Sequence, residues 1–228
     1  MAKPIAVITG ASKGIGRATA LRLASDYDIV AVARSADELQ SLAAEIARTG
    51  GSCRPAPLDI TDPDAVAAAL GGIDAQVLVN NAGVGTIKPL MELTRDEWTQ
   101  MVDVNLNALY DVTRAVLPAM LARRSGHVVM TGSISGRSAY TGGTGYTATK
   151  HAVMAFTECL MLEVRDAGVK VSVVNPGAVA TEFSEHADPS WMLHAEDVAE
   201  AIHKVLDTPP NVLIHRVEVR TLTVPKKK

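Results

Sequence analysis

Cysteine is nearly absent. The chain has two, Cys53 and Cys159, too few and too far apart for a disulfide framework or a thiolate metal site, so no metal is expected and a reducing compartment fits. Aromatic residues make up only 4%, which leaves no platform on which single-stranded bases could stack. A charge excess is lacking too. With 22 Lys and Arg against 25 Asp and Glu, the formal net charge is -3, and nothing in the bulk electrostatics calls for a nucleic acid or an acidic membrane. Long apolar runs are missing as well: Met1-Ala2-Lys3-Pro4 leads directly into Ile5-Ala6-Val7-Ile8, which is too short for a signal-peptide core or a membrane span. These absences predict a soluble, cytoplasmic protein. The basic end, Lys226-Lys227-Lys228, reads as a solvated terminus and is assigned no function.

What the chain does have is apolar bulk. With 228 residues, 47% of them hydrophobic, it can bury a full core as one domain spanning 1–228. Short Val- and Ile-rich runs alternate with stretches of helical period, the pattern of βαβ units around a parallel sheet. Strands are expected at Ile5–Thr9, Ile29–Ala33, Cys53–Leu58, Val77–Asn80, His127–Met130, Lys170–Asn175 and Val212–Val219. Helices are expected at Arg17–Ser25, Ala36–Thr49, Pro63–Leu70, Arg95–Arg123, Tyr146–Ala167 and Ala195–Leu206. The fold class is therefore α/β, a doubly wound seven-stranded parallel sheet flanked by helices. Ser35 to Glu38 and Thr94 to Glu97 carry capping-box patterns, and Pro63 suits a first helical turn. Pro118 should kink or split the long helix.

The first expected strand ends in Thr9-Gly10-Ala11-Ser12-Lys13-Gly14-Ile15-Gly16 and then opens a helix. In that setting, backbone amides and a helix N-terminus bind pyrophosphate. The glycines are spaced G-x-x-x-G-x-G, not G-x-G-x-x-G, so the context after a first strand carries the reading. After the second strand stands Ala33-Arg34-Ser35, with no carboxylate to grip the ribose 2′-hydroxyl of NAD. Arg34 and Lys13 instead bring two positive charges to the place where NADP has an extra phosphate. NADP(H) is the expected cofactor. In Leu58-Asp59-Ile60, Asp59 either accepts from the adenine amino group or caps a helix.

Tyr146 and Lys150 stand at i and i+4 of an expected helix and share a face. An ammonium beside a phenol lowers its pKa towards the working range of a general acid or base. Ser133 follows the fifth strand, at the sheet edge where doubly wound folds bind ligands, and its hydroxyl could hold a carbonyl oxygen. Asn80-Asn81-Ala82-Gly83 leaves the fourth strand at the same edge. Asn105 falls inside a helix, where asparagine is locally unfavourable; it marks either a bulge with a water or plain tolerance.

Taken in order and spacing, Thr9-Gly10 through Gly16, Asn80-Asn81-Ala82-Gly83, Asn105, Ser133, Tyr146 with Lys150, Asn175-Pro176-Gly177 and Thr181 resemble the classical short-chain dehydrogenase/reductase family over the whole chain. The resemblance implies a Rossmann fold with Tyr146 as acid/base. Lys150 would lower the tyrosine pKa and bind the nicotinamide ribose, Ser133 would orient the substrate oxygen, and Asn105 would hold a relay water. It also implies that Gly10, Ser12, Lys13, Gly14, Ile15, Gly16, Arg34, Asp59, Ile60, Asn81, Ala82 and Gly83 contact the cofactor, with Pro176, Gly177, Val179 and Thr181 at the nicotinamide. A homotetramer or dimer is implied as well.

The activity this implies is hydride transfer between NADP(H) and a small-molecule carbonyl or alcohol substrate. A 3-hydroxy acid or 3-oxoacyl reductase is the alternative, and a non-catalytic NADP-binding sensor is the alternative of another class. The connection Glu182–His194 is short where many members carry a helical lid, and the end Asn211–Thr221 resembles the branch of 3-hydroxy acid dehydrogenases and small-aldehyde reductases. Gly85, Ser135, Tyr140, Gly142, Gly143, Phe183, Trp191 and Met192 are candidate pocket walls; His186 and His194 are left out of the site.

Overall fold

The computed structural model describes residues 3–184 and 189–223; His186 and the Lys226-Lys228 tail lie outside the described residues. Seven strands form one parallel sheet in the order β3-β2-β1-β4-β5-β6-β7. They are β1 (Ile5–Thr9), β2 (Asp28–Ala33), β3 (Cys53–Pro57), β4 (Ala75–Asn80), β5 (Gly126–Thr131), β6 (Val169–Pro176) and β7 (Arg216–Val219). Each apolar run becomes a strand because the sheet is covered on both faces, so side chains of either parity are buried. One face packs Leu23, Leu39, Ile46, Val198 and Ile202. The other packs Leu70, Val112, Met120, Leu160 and Val164.

The helices are α1 (Gly14–Leu23), α2 (Ala36–Arg48), α3 (Pro63–Leu70), α4 (Arg95–Val102), α5 (Ala108–Arg123), α6 (Thr144–Val164) and α7 (Ala195–Leu206). Strand order reverses between β1 and β4, and this opens a crevice at their C-terminal ends. Among the described residues no helix is long and apolar enough to cross a membrane.

Four expectations are corrected. The helix after the glycine turn starts at Gly14, so Gly14, Ile15 and Gly16 form its first turn rather than a loop ahead of it. The long helix does not break at Pro118: α5 runs through it, and the interruption is a π-helical segment, Asp103–Asn107. Ser35 makes no side-chain cap, and the Glu38 side chain pairs with Lys13 at 3.0 Å instead of closing the box. The last strand begins at Arg216, since Val212 closes a turn onto Pro209 (N–H to carbonyl, 2.9 Å) and pairing with β6 starts only at Val173. The Thr94–Glu97 capping box forms as expected, and Asp62 caps α3 with Pro63 in its first turn.

At the opposite end of the sheet from the crevice, His127 is buried in β5. Ser172 donates to the Ile214 carbonyl at 2.6 Å, so the 2.7 Å contact between its Oγ and His127 Nε2 is donated by the imidazole. Burial, helped by the Lys170 charge, pulls the His127 pKa down to about 3. The unfolded chain titrates this group near about 6.5 and therefore binds the extra proton first as pH falls. Stability should drop by up to about 1.4 kcal/mol per pH unit below about 6.5 and level off only near the folded value. Urea unfolding across pH 6 to 4 should show this slope flattened in His127→Gln; parallel slopes would refute the assignment.

Candidate active site

The crevice is a cleft of 930 Å³ whose lining brings together Gly10, Lys13, Gly14 and Ile15 from the glycine turn, Asn81, Ala82 and Gly83 after β4, and Pro176, Gly177, Val179 and Thr181 after β6. Ser133, Tyr146 and Lys150 line the same cleft. Ser12, Gly16 and Asn105 are not among its lining residues. Arg34, Asp59 and Ile60 stand outside the lining, just past the C-terminal ends of β2 and β3. Ile60 packs against the core.

A polar knot ties β1 to β4. The Thr9 hydroxyl accepts from Asn81 N–H at 3.0 Å and Ala82 N–H at 3.1 Å. The Asn81 amide returns the link, donating to the Thr9 carbonyl at 3.1 Å and the Gly10 carbonyl at 3.4 Å. Gly16 lies so close beneath that a Cβ there would overlap the Gly10 carbonyl oxygen and stand 2.6 Å from Asn81 Nδ2. The N-terminus of α1 therefore opens onto the cleft. Its N-cap, Lys13, supplies no capping side chain, which leaves the first N–H groups of the helix available to an anion.

The orthodox fate of the charges near this turn is only partly as expected. Lys13 Nζ pairs with Glu38 and Glu182, each at 3.0 Å. Arg34 is exposed and faces Asp59. Hydrogen bonds from the Thr61 N–H and hydroxyl, with the Arg34 charge beside them, hold the Asp59 carboxyl below its ordinary value. Asp59 caps no helix; one of its oxygens is used by Thr61.

On the other side, the π-helical segment turns Asn105 into the fold. Its carbonyl accepts from Val84 N–H at 2.8 Å, while its amide donates to the Val84 carbonyl at 2.8 Å and to Thr149 Oγ1 at 3.0 Å. Asn105 thus clamps the loop after β4 onto α6, the helix that carries Tyr146 and Lys150. Lys150 Nζ donates to the Thr131 carbonyl at 3.0 Å and lies 5.7 Å from the centre of the Tyr146 ring. Burial lowers the Lys150 pKa to about 8.

Lys150 is not among the groups that set the Tyr146 pKa in the cofactor-free protein. Burial pushes the Tyr146 phenol up to about 12, and a hydrogen bond with Ser133 is what opposes it. Desolvation outweighs that hydrogen bond.

At the open end, Phe183 packs on Tyr146 with ring centres 5.5 Å apart, and Ile87, Ile134, Ser135 and Tyr140 complete the wall. Gly85 lies behind Phe183, and Gly142 and Gly143 back Ile87 and Tyr140. Trp191 and Met192 lie outside the lining, Met192 being buried. Thr131, Thr149, Ile87, Ile134 and Glu182 were not singled out by sequence, and Thr9 and Asn175 entered only as members of motifs, with no role assigned. Only a threonine at the end of the first strand could have hinted at the knot.

A parallel sheet with an anion-ready helix start at its reversal point, and a Tyr-Lys pair lining the same cleft, defines a dinucleotide-dependent oxidoreductase. Residues 4–190 match the short chain dehydrogenase family, and the chain belongs to it. It is similar to an uncharacterized oxidoreductase of Staphylococcus aureus strain N315, 35% identical over 226 residues that cover 95% of this chain and 96% of the other. Among solved structures it is similar to an alcohol dehydrogenase from the archaeon Thermococcus sibiricus complexed with 5-hydroxy-NADP, at 31% identity and TM-score 0.91, covering 99% of this chain and 100% of that one. A serine dehydrogenase from Escherichia coli matches at 31% identity and TM-score 0.85, covering 94% and 96%.

Thr9→Val keeps the shape of the knot but leaves two N–H groups without their acceptor, which should cost about 2 to 4 kcal/mol. Thr9→Ser should restore most of it. Urea unfolding of the three proteins checks this, and equal stability of the valine and serine variants would show that the hydroxyl does not hold the strands.

Proposed function

We propose that this chain is an NADP(H)-dependent reductase of aldehydes or ketones, working in reverse as an alcohol dehydrogenase. The observation that carries the reading is the convergence of Ser133, Tyr146 and Lys150 on one cleft beside an uncapped helix start. The cradle fits a phosphorylated dinucleotide. The glycine turn and the start of α1 would hold its pyrophosphate, Arg34 and Lys13 its 2′-phosphate, Lys150 the nicotinamide ribose, and Pro176, Gly177, Val179 and Thr181 the nicotinamide. Asp59 has one carboxylate oxygen left for the adenine amino group. The bound cofactor supplies or accepts the hydride.

The chain's own part is orientation and proton handling. Ser133 donates to the substrate oxygen and Tyr146 delivers the proton to that oxygen. Burial holds the phenol at about 12, so at neutral pH it carries the proton that reduction of a carbonyl oxygen requires. Both polar groups of the Asn105 side chain are already bonded within the protein, so a relay water would rest on its main chain.

The substrate reading comes from the wall. Of the cations lining the cleft among the described residues, Lys13 is held by two carboxylates and Lys150 by the Thr131 carbonyl. Both are assigned to the cofactor above, so none remains for a substrate carboxylate, whereas Ile87, Ile134, Tyr140 and Phe183 offer apolar surface. A neutral carbonyl compound therefore suits the pocket better than a 3-oxo acid.

Loss of NADPH absorbance with a panel of aldehydes, ketones, quinones and 3-oxo acids tests the activity. Tyr146→Phe should lower turnover by at least about a hundredfold while NADPH still binds; retained turnover would assign the acid elsewhere. Arg34→Asp should weaken NADPH binding at least about tenfold and NADH binding far less. Equal losses for the two cofactors in fluorescence titrations would remove Arg34 from the phosphate site.

A further inference from the structure

Ser133 is held at two points. Its N–H donates to Asn175 Oδ1 at 3.1 Å, and its Oγ accepts from Ser135 N–H at 3.1 Å. A serine hydroxyl has one proton to give. With the main chain anchored from below and one lone pair occupied from the side, that proton is left to the cleft, where Tyr146 and the substrate oxygen meet.

Asn175 makes this anchor from the end of β6, where it is completely buried. The strand exit above it is shaped to let the amide in: a Cβ on Gly132 would overlap Asn175 Oδ1 and stand 2.8 Å from Val173 Cγ2. The other end of the amide, Nδ2, is buried with no hydrogen-bond partner. A half-satisfied buried amide is unfavourable for the fold, and an apolar side chain would fill the same space without that cost. What the amide uniquely supplies here is the acceptor for Ser133. It does not line the cleft, so it acts through its neighbour.

We propose that Asn175 is a positioning residue of the reaction, fixing the Ser133 main chain so that the Ser133 hydroxyl points at the reacting oxygen. This rests on the carbonyl-reductase reading above. The Ser133 hydrogen bond also opposes the burial of the Tyr146 phenol, so misplacing Ser133 should leave the tyrosine harder to ionise.

The test is a double-mutant cycle of Asn175→Leu with Ser133→Ala, followed by kcat, NADPH affinity and pH profile. Asn175→Leu alone should lower kcat about tenfold with NADPH affinity within about twofold, and should move to higher pH the ascending limb of alcohol oxidation, on which Tyr146 must lose its proton. In the Ser133→Ala background it should cost less than about a further twofold, because nothing is left to position. Losses that multiply, or a parallel fall in NADPH affinity, or an unchanged kcat, would each overturn the proposal. If the leucine variant does not fold, Asn175→Ala, which leaves a void instead of a misfit, carries the same cycle. If the wild-type protein reduces nothing in the panel, the functional reading fails by itself. Ultraviolet titration of the Tyr146 phenolate in the NADP-bound protein, identified as the step absent in Tyr146→Phe, then decides: a higher midpoint in Asn175→Leu supports the positioning role, and an unmoved one refutes it.

Discussion

The gap between β1 and β4 is the constraint on which the site depends. Where strand order reverses, two neighbouring strands send their connections to opposite faces, and the main-chain groups at their C-terminal ends lose regular partners. The Thr9 hydroxyl and the Asn81 amide satisfy them across the gap. Because that knot fixes where the Gly10 carbonyl stands, it also fixes how closely α1 can approach, with Gly16 in contact beneath. The helix start, the glycine turn and the loop carrying Gly83 are therefore placed by one set of bonds.

Opposite the knot, a second constraint is electrostatic. Tyr146 and Lys150 share a helical face, the tyrosine half-buried and the lysine buried, and desolvation drives each towards its neutral form, the phenol up to about 12 and the ammonium down to about 8. At neutral pH that leaves a neutral acid above a largely charged lysine, not a phenolate-ammonium pair. The π-helical segment contributes by turning Asn105 inward, so that the loop after β4 is clamped to the helix bearing both groups. The local helical penalty of an asparagine at that position is offset by three hydrogen bonds.

The sheet, and the meeting of the glycine turn with Tyr146 and Lys150 in one cleft, were legible because their signals are local: Val- and Ile-rich runs for buried strands, an i, i+4 Tyr-Lys pair, a glycine turn after the first strand. The errors share a different cause. Pro118 reads as a break only if the helix must be ideal there, yet α5 continues through it, and the interruption lies where Asn105 finds partners in Val84 and Thr149. Ser35 and Glu38 match a capping box, but Glu38 has Lys13 within reach. Thr9 and Asn175 draw their roles from strands distant in sequence, so no window around either reveals them. Lowering of the tyrosine pKa by its lysine follows from spacing alone; whether desolvation outweighs it depends on burial, which spacing does not carry.

The mouth of the cleft brings these threads together. Glu182 and Phe183 are adjacent, and they face different ends of the site: Glu182 reaches back to Lys13 at 3.0 Å, while Phe183 lies on Tyr146. A single short segment thus touches both the turn where a phosphate would bind and the ring that would hold the reacting proton. Its charge is directed towards the dinucleotide end and its apolar ring towards the substrate end. The Glu182 carboxylate leaves less of the Lys13 charge open to an anion, whereas Phe183, with Ile87, Ile134 and Tyr140, gives the other end of the cleft an apolar wall.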